Sequence, residues 1–312
     1  MASIVVIGSA NTDMTVKVER LPGVNETVSG GETMISFGGK GANQALAALQ
    51  AGGEVFFLCR IGMDPNGERL CRHLVRAGLP YAGLLRDDEQ ASGLALIAVD
   101  QQGNNQIVVA PGSNRALQPS DVEAIESELR QASIVLLQLE TPLETVERAL
   151  RLGRSLGLTT ILDPAPVRDL PDHVYPLIDI LTPNQSEAAR LSGLSASTET
   201  EARAAAEKLR GKGCGSVLVT MGAAGALLCC GHGTALIPPF EVQAVDSVAA
   251  GDAFNGALAS ALARGMPLEE AASFASAAGA LCASKRGAQE ALPDRTEVER
   301  LQVGAGRSGS RQ

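Results

Sequence analysis

Three features of the 312-residue chain predict an α/β fold built on a doubly wound, mostly parallel sheet flanked by helices, with a small antiparallel β-sheet lid. From Ser133 onward, short apolar runs alternate with helical stretches, which requires crossover connections and parallel strands. The first run, Ser3 to Ile7 closing at Gly8, is continuously apolar, the pattern of a strand covered on both faces. Polar residues, namely Asn11, Asp13, Glu140, Asn184, Glu187 and Thr220, follow the ends of these runs, and ligands bind at that edge of open α/β sheets.

Elements follow in order. Residues 15–18, 27–37, 92–99 and 105–109 alternate polar and apolar, and 100–104 form a turn, so they read as antiparallel ribbons. Helices are predicted over 40–51 and 65–77, with a core strand at 55–58 between them. The regular part has strands at 134–139, 159–162, 178–181 and 216–219, helices at 143–156 and 199–210, and a further helix opening near Glu187. A hairpin over 226–230 and 234–237, an Ala-rich helix over 267–283 and a last helix over 296–303 complete the chain. We therefore expect one domain over 1–303, lid insertions at about 13–38 and 83–110, and a disordered tail at 304–312.

Composition narrows the function. A net charge of −9 without a dense Lys/Arg run argues against a nucleic-acid surface. The six cysteines show neither CxxC nor His-paired zinc spacing, and most sit in apolar segments, as reduced thiols of a cytoplasmic protein do. No apolar run reaches transmembrane length, and residues 2–8 are too short for a signal-peptide core, so no membrane partner is expected.

The chain is organised around residues 245–263. A small-residue turn, Ala249, Ala250 and Gly251, precedes Asp252 and a helix whose Phe254, Ala257, Leu258, Ala261 and Leu262 make one apolar face. The first turn of such a helix offers free N–H groups and a positive dipole end, which attract an anion. Asp252 is then either a base beside a bound phosphoryl group or an ordinary N-cap. Asn11 and Asp13, two apart in an extended segment, can grip vicinal hydroxyls or simply close an Asx-turn. Gly38 and Gly39 open the helix carrying Asn43 but form no P-loop, because GxxxxGK[ST] is absent.

Taken together, GSANTD (8–13), FGGKGANQA (37–45), QLE (138–140), DPAP (163–166), TPNQSEA (182–188), TMGAAG (220–225), AVDSVAAGDAFNGAL (244–258) and KRGAQ (285–289) resemble the ribokinase-like (PfkB) carbohydrate kinases over residues 3–301. FGGKGANQA looks more like the family's ribose-phosphorylating members than its fructose, ketodeoxygluconate or adenosine kinases. The resemblance implies ATP-dependent phosphorylation of D-ribose at the 5-hydroxyl. It implies Asp252 as base and the amides of Ala249, Ala250 and Gly251 as anion hole. It implies sugar binding by Asn11, Asp13, Gly39, Lys40, Gly41, Asn43 and Glu140, and ATP binding by Asn184, Thr220, Gly222, Gly225, Gly251 and Ser276. Glu187 would act indirectly on Mg2+ arriving with ATP. Asp246, Val248, Cys282, Lys285 and Gly287 would hold K+ or another monovalent cation, with Ala291 standing where such kinases often carry a ligating serine. A homodimer joined through the lids is also implied.

Carboxylates at 13 and 140 suit a neutral polyol and repel a phosphorylated sugar. Deoxyribose, a ketohexose or a nucleoside remain alternative acceptors, although Phe37 is the only aromatic residue in the sugar-pocket segments to stack on a base. A non-catalytic sugar sensor would have no need of Asp252 and its anion turn.

Overall fold

The computed structural model describes residues 3–308. β1 (Ile4–Ile7) leads through β2 (Asn11–Val18) and β3 (Gly30–Gly38) to α1 (Lys40–Gln50) and β4 (Val55–Gly62). Then come α2 (Pro65–Arg76), β5 (Leu84–Asp87), β6 (Gly93–Val99) and β7 (Asn105–Ala110). Short helices α3 (Pro119–Ala124) and α4 (Glu126–Leu129) precede β8 (Ile134–Leu137), α5 (Leu143–Ser155), β9 (Thr159–Leu162) and β10 (Ile180–Leu181). α6 (Gln185–Ser192), α7 (Glu199–Gly211), β11 (Ser216–Thr220), β12 (Ala226–Cys230) and β13 (Gly233–Ile237) follow. α8 (Ala250–Ala263), α9 (Leu268–Ala283) and α10 (Arg295–Ser308) end the described chain.

The main sheet has nine strands in the order β13-β12-β11-β10-β9-β8-β1-β4-β5, parallel except at the β12 hairpin. β1 pairs β4 on one side and β8 on the other, so chain progression reverses beside β1. A ligand crevice belongs at such a reversal, outside the carboxyl ends of the strands. Alternation along β1 sends Ile4 and Val6 into the layer of α1, α8 and α9, and Val5 and Ile7 into the layer of α5 and α7. All four are buried, as the unbroken apolar run requires.

The lid is a four-stranded sheet, β3-β2-β6-β7, with β2 and β6 parallel and the outer pairs antiparallel. Its second insertion starts at Gly93 rather than near residue 83, because β5 pairs with β4 at the edge of the main sheet. α10 runs on to Ser308, so residues 304–308 are helical instead of tail; residues 309–312 lie outside the described residues. The central helix differs from its expected single apolar face: every residue of α8 from Asp252 to Ala261 is buried. α8 lies between α1 and α9, so no side of it faces water along that stretch.

Candidate active site

Asp252 sits in the first turn of α8, 4% exposed, with both oxygens held by amides of α1. Asn43 Nδ2 donates to Oδ2 at 2.9 Å, and Gln44 Nε2 donates to Oδ1 at 3.0 Å. Each oxygen keeps a further lone pair. Gln44 Nε2 also donates to Asp163 Oδ2 at 2.7 Å, and Gln138 Nε2 donates to Gln44 Oε1 at 2.7 Å. Burial, with Asp252 and Glu187 adding to it against the pull of Lys40, pushes the Asp163 carboxyl up to about 8.

The turn before α8 is strained. Ala249, its N-cap, has φ 59° and ψ 6°, a left-handed conformation that costs a non-glycine residue about 1–2 kcal/mol. Among the described residues no acceptor faces the N–H groups of Ala249, Gly251 or Asp252, while Ala250 N–H makes only a long bond of 3.3 Å to Ser247 O. The donor set thus takes in Asp252 as well as the turn proposed from sequence. A Cβ built on Gly251 meets nothing within 4 Å, so the turn is open at that residue. Asn255 Nδ2 holds the Gly251 carbonyl at 2.9 Å, and its Oδ1 accepts from Thr182 Oγ1 at 2.7 Å.

The residues expected from sequence to bind sugar converge from three elements. Asn11 and Asp13 open β2, and Asp13 lies over Gly38, where an added Cβ would sit 2.3 Å from its Oδ2. Burial, reinforced by Glu140 and Glu290, raises the Asp13 carboxyl to about 6. Asn114 Nδ2 takes Asn11 Oδ1 at 2.7 Å, which leaves the Asn11 amide nitrogen for a ligand. Glu140 Oε2 accepts from Ser9 Oγ and, at 3.0 Å, from Lys40 N at the start of α1. Gly39, N-cap of α1, has φ 87°, and a Cβ there would fall 2.8 Å from Ala10 Cα. Gly41 packs as tightly against Gly8 and Ser9. The Lys40 ammonium is opposed by burial but held charged by Asp252, Asp163, Glu140 and Glu187, which raise its pKa. It therefore faces the carboxylate cluster as a whole, beyond a sugar contact alone.

On the far side, Asn184 and Thr220 form a bridge between chain segments, and Gly222 and Gly225 flank the turn after β11. Asn184 caps α6: its Oδ1 accepts from Glu187 N at 2.9 Å, while Glu187 Oε2 accepts from Asn184 N at 2.8 Å. Burial raises the Glu187 carboxyl, against the Asn184 N–H and Lys40. Ser276 Oγ, on α9, is buried without a hydrogen-bond partner among the described residues. Asp246 ties two loops together, accepting from Val248 N at 3.1 Å through Oδ1 and from Gly287 N at 3.2 Å through Oδ2. Cys282 Sγ lies 3.6 Å from Val248 O, and Lys285 Nζ pairs with Glu297 at 2.8 Å. A charge, nearby backbone carbonyls and a half-exposed setting fit a weakly held monovalent cation.

Gln44, Asp163, Asn255, Gln138, Gln289 and Asn114 are site residues that sequence reasoning did not assign. All but Asn114 lie inside motifs quoted for the resemblance, so position in the motif was the available signal.

A family model for pfkB family carbohydrate kinases matches residues 1–295. A ribokinase of Haemophilus influenzae is 37% identical over 296 residues, covering 95% of this chain and 97% of its own. A deoxyribokinase of Salmonella typhi is 34% identical over 291 residues, covering 93% of this chain and 95% of its own. The structure of an Arabidopsis thaliana ribokinase complexed with ribose and ATP superposes with a TM-score of 0.89 at 32% identity, covering 96% of this chain and 98% of that one.

Proposed function

The chain belongs to the pfkB family of carbohydrate kinases, and we propose that it transfers the γ-phosphoryl group of ATP to the 5-hydroxyl of D-ribose. One observation carries the reading most directly: a buried carboxylate, oriented by two amides, stands beside free N–H groups under open space at the crevice. Asp252 takes the proton of the attacking hydroxyl. The N–H groups of Ala249, Gly251 and Asp252 receive the equatorial oxygens of the transferring group. Asp13, the Asn11 amide nitrogen and Glu140 Oε1 hold the sugar, so that a neutral polyol meets two carboxylate acceptors and one N–H donor. Lys40 offsets negative charge arriving with the nucleotide, whose bound Mg2+ is approached through Glu187. Asn184, Thr220, Gly222, Gly225 and Ser276 form the nucleotide side.

A monovalent cation held by the Asp246 and Gly287 loops, through carbonyls of Val248, Cys282 and Lys285, would supply positive charge behind the turn. Two copies join through the lids. An open groove of about 410 Å³ crosses the lid between Met14, Val16, Leu96, Ala98 and Val108, and such apolar strands invite burial. Among the described residues no helix is long and apolar enough to cross a membrane, and the six cysteines are free, as thiols are in a reducing compartment such as the cytoplasm.

ADP release measured with a panel of free pentoses and hexoses tests the assignment. The highest kcat/KM belongs to D-ribose. A preference for 2-deoxyribose would move the chain toward its deoxyribokinase relatives, and silence with every sugar would make it a sensor.

A further inference from the structure

A row of side-chain hydrogen bonds connects α2, on the outside of the α1 layer, to Asp252. His73 Nε2 lies 2.7 Å from Gln289 Oε1; Gln289 Nε2 donates to Asn43 Oδ1 at 3.0 Å; Asn43 Nδ2 donates to Asp252 Oδ2 at 2.9 Å. Gln289 and Asn43 are buried, so water cannot readily substitute for a missing link. An amide has a donor end and an acceptor end and can be turned over, so two amides in series do not fix their own direction. The ends decide it. An ionised carboxylate only accepts, so Asn43 must offer its nitrogen. Its oxygen then requires the Gln289 nitrogen, and the Gln289 oxygen requires a donor. His73 Nε2–H is that donor.

We propose that His73 is a positioning residue for phosphoryl transfer: through Gln289 and Asn43 it keeps an N–H, rather than a C=O, against Asp252 Oδ2. The link tolerates protonation of the ring, since Nε2 carries hydrogen both in this tautomer and in the imidazolium. The other function of the ring is separate. It stacks on Phe37 of β3 with centroids 4.5 Å apart and planes 29° from parallel, at the root of the lid. Loss of stacking acts on sugar capture; loss of the donor acts on the base.

This inference rests on Asp252 being the base, and the experiment separates the two. His73→Gln, His73→Met, Gln289→Met and the His73→Met/Gln289→Met double variant are compared in the full chain with Asp252→Asn. His73→Met lowers kcat about tenfold, the worth of roughly one buried hydrogen bond, and leaves the KM for ATP unchanged. His73→Gln, which keeps a donor at similar reach, stays within about twofold of the parent, and the double variant is no slower than the slower single one. Parental kcat in His73→Met, equal losses in His73→Gln and His73→Met, or multiplying losses in the double variant would each overturn the inference. If His73→Met does not fold, parental kcat in Gln289→Met overturns it equally. An active Asp252→Asn enzyme would instead remove the base assignment itself.

Discussion

The lid and the α1–α8 platform send side chains into one crevice, but they are built on opposite terms. In the platform, small residues bring helices together: a Cβ on Gly256 would fall 2.5 Å from Ala47 Cβ and 2.6 Å from Gln44 O. Asn43, Gln44 and Asp252 are buried there and hold one another by hydrogen bonds. In the lid, Met34, Leu96, Val108 and Val109 are at least half exposed, and the sheet is tied to the body at its root, where the first residues of β2 are buried and Phe37 of β3 stacks on His73. On the proposed assignment, chemistry rests on packed helices that fix geometry, and sugar capture on a sheet with little of its own core. Damage to the platform should appear in kcat, and damage to the lid in KM.

Asp252→Asn makes the largest difference. It keeps the shape of the side chain, removes the proton acceptor and sets an NH2 against one of the two amide donors, so kcat falls about 10²–10⁴-fold while ribose and ATP still bind. Retention of more than roughly a tenth of the parental kcat would show that the base lies elsewhere. Gly251→Ala comes next. The new methyl meets no protein atom within 4 Å, and alanine is the better helix former by about 1 kcal/mol, so the melting temperature holds or rises. The methyl instead fills the space over the free N–H groups, and kcat drops on the order of 10²-fold, comparable with losing an oxyanion donor. A variant both stable and fully active would mean that no phosphoryl group approaches that turn.

The same contrast explains what was legible in the chain. Strands buried on both faces and long helices announced themselves through unbroken apolar runs and 3.6-residue periodicity, as with β1 and α5. β5 did not, because Leu84-Leu85-Arg86-Asp87 is a four-residue edge strand with two apolar residues, and α3 and α4 are too short to show a period. Candidate positions at strand ends and at the α8 turn stood out because a carboxylate there is unusual. Gln44 was hidden by its neighbour: successive helix residues point about 100° apart, yet Asn43 and Gln44 both reach Asp252, one at each oxygen. That depends on where α8 crosses α1, which local sequence does not encode. Asp163 was masked for the same reason, as its partners come from α1 and α8.

Asp13 offers a pH test of the lid side. Its carboxyl is raised to about 6, so it is charged above that pH and neutral below. A charged carboxylate accepts sugar hydroxyls, and kcat/KM for ribose reports ionisations of the free enzyme. The expected profile is level above pH 7 and falls through about pH 6, approaching tenfold per pH unit, with no such bend in Asp13→Asn. A level profile down to pH 5 in the parent would remove ionised Asp13 from sugar binding. A smaller effect is expected from Leu96→Glu with Val108→Glu, which charge the lid groove. Sedimentation should then give monomers, and ribose KM rises up to about tenfold as fewer lids stand closed. A parent that is monomeric at micromolar concentration with full activity would refute assembly through the lid.

The smallest effect is expected behind the platform, at the cation loops. Asp246 already spends one lone pair of each oxygen on the N–H groups of Val248 and Gly287, so an ion there would be held mainly by carbonyls. Its charge would act on the turn amides through space, without touching either substrate. With potassium, caesium, sodium or a large organic cation at constant ionic strength, ADP release should be fastest for the first two. Equal rates in all four would show that the loops bind no activating ion. Ala291, fully buried, follows the Gly287 loop by four residues and brings no side-chain oxygen. Ala291→Ser would place a hydroxyl there, at a cost of about 1–3 kcal/mol if it stays unpaired. Potassium would pair it. The variant should therefore melt lower than the parent without potassium, recover more of its melting temperature as potassium is added, and need about half the potassium for half-maximal rate. A melting temperature indifferent to potassium, with unchanged half-activation, would mean that position 291 never faces the ion.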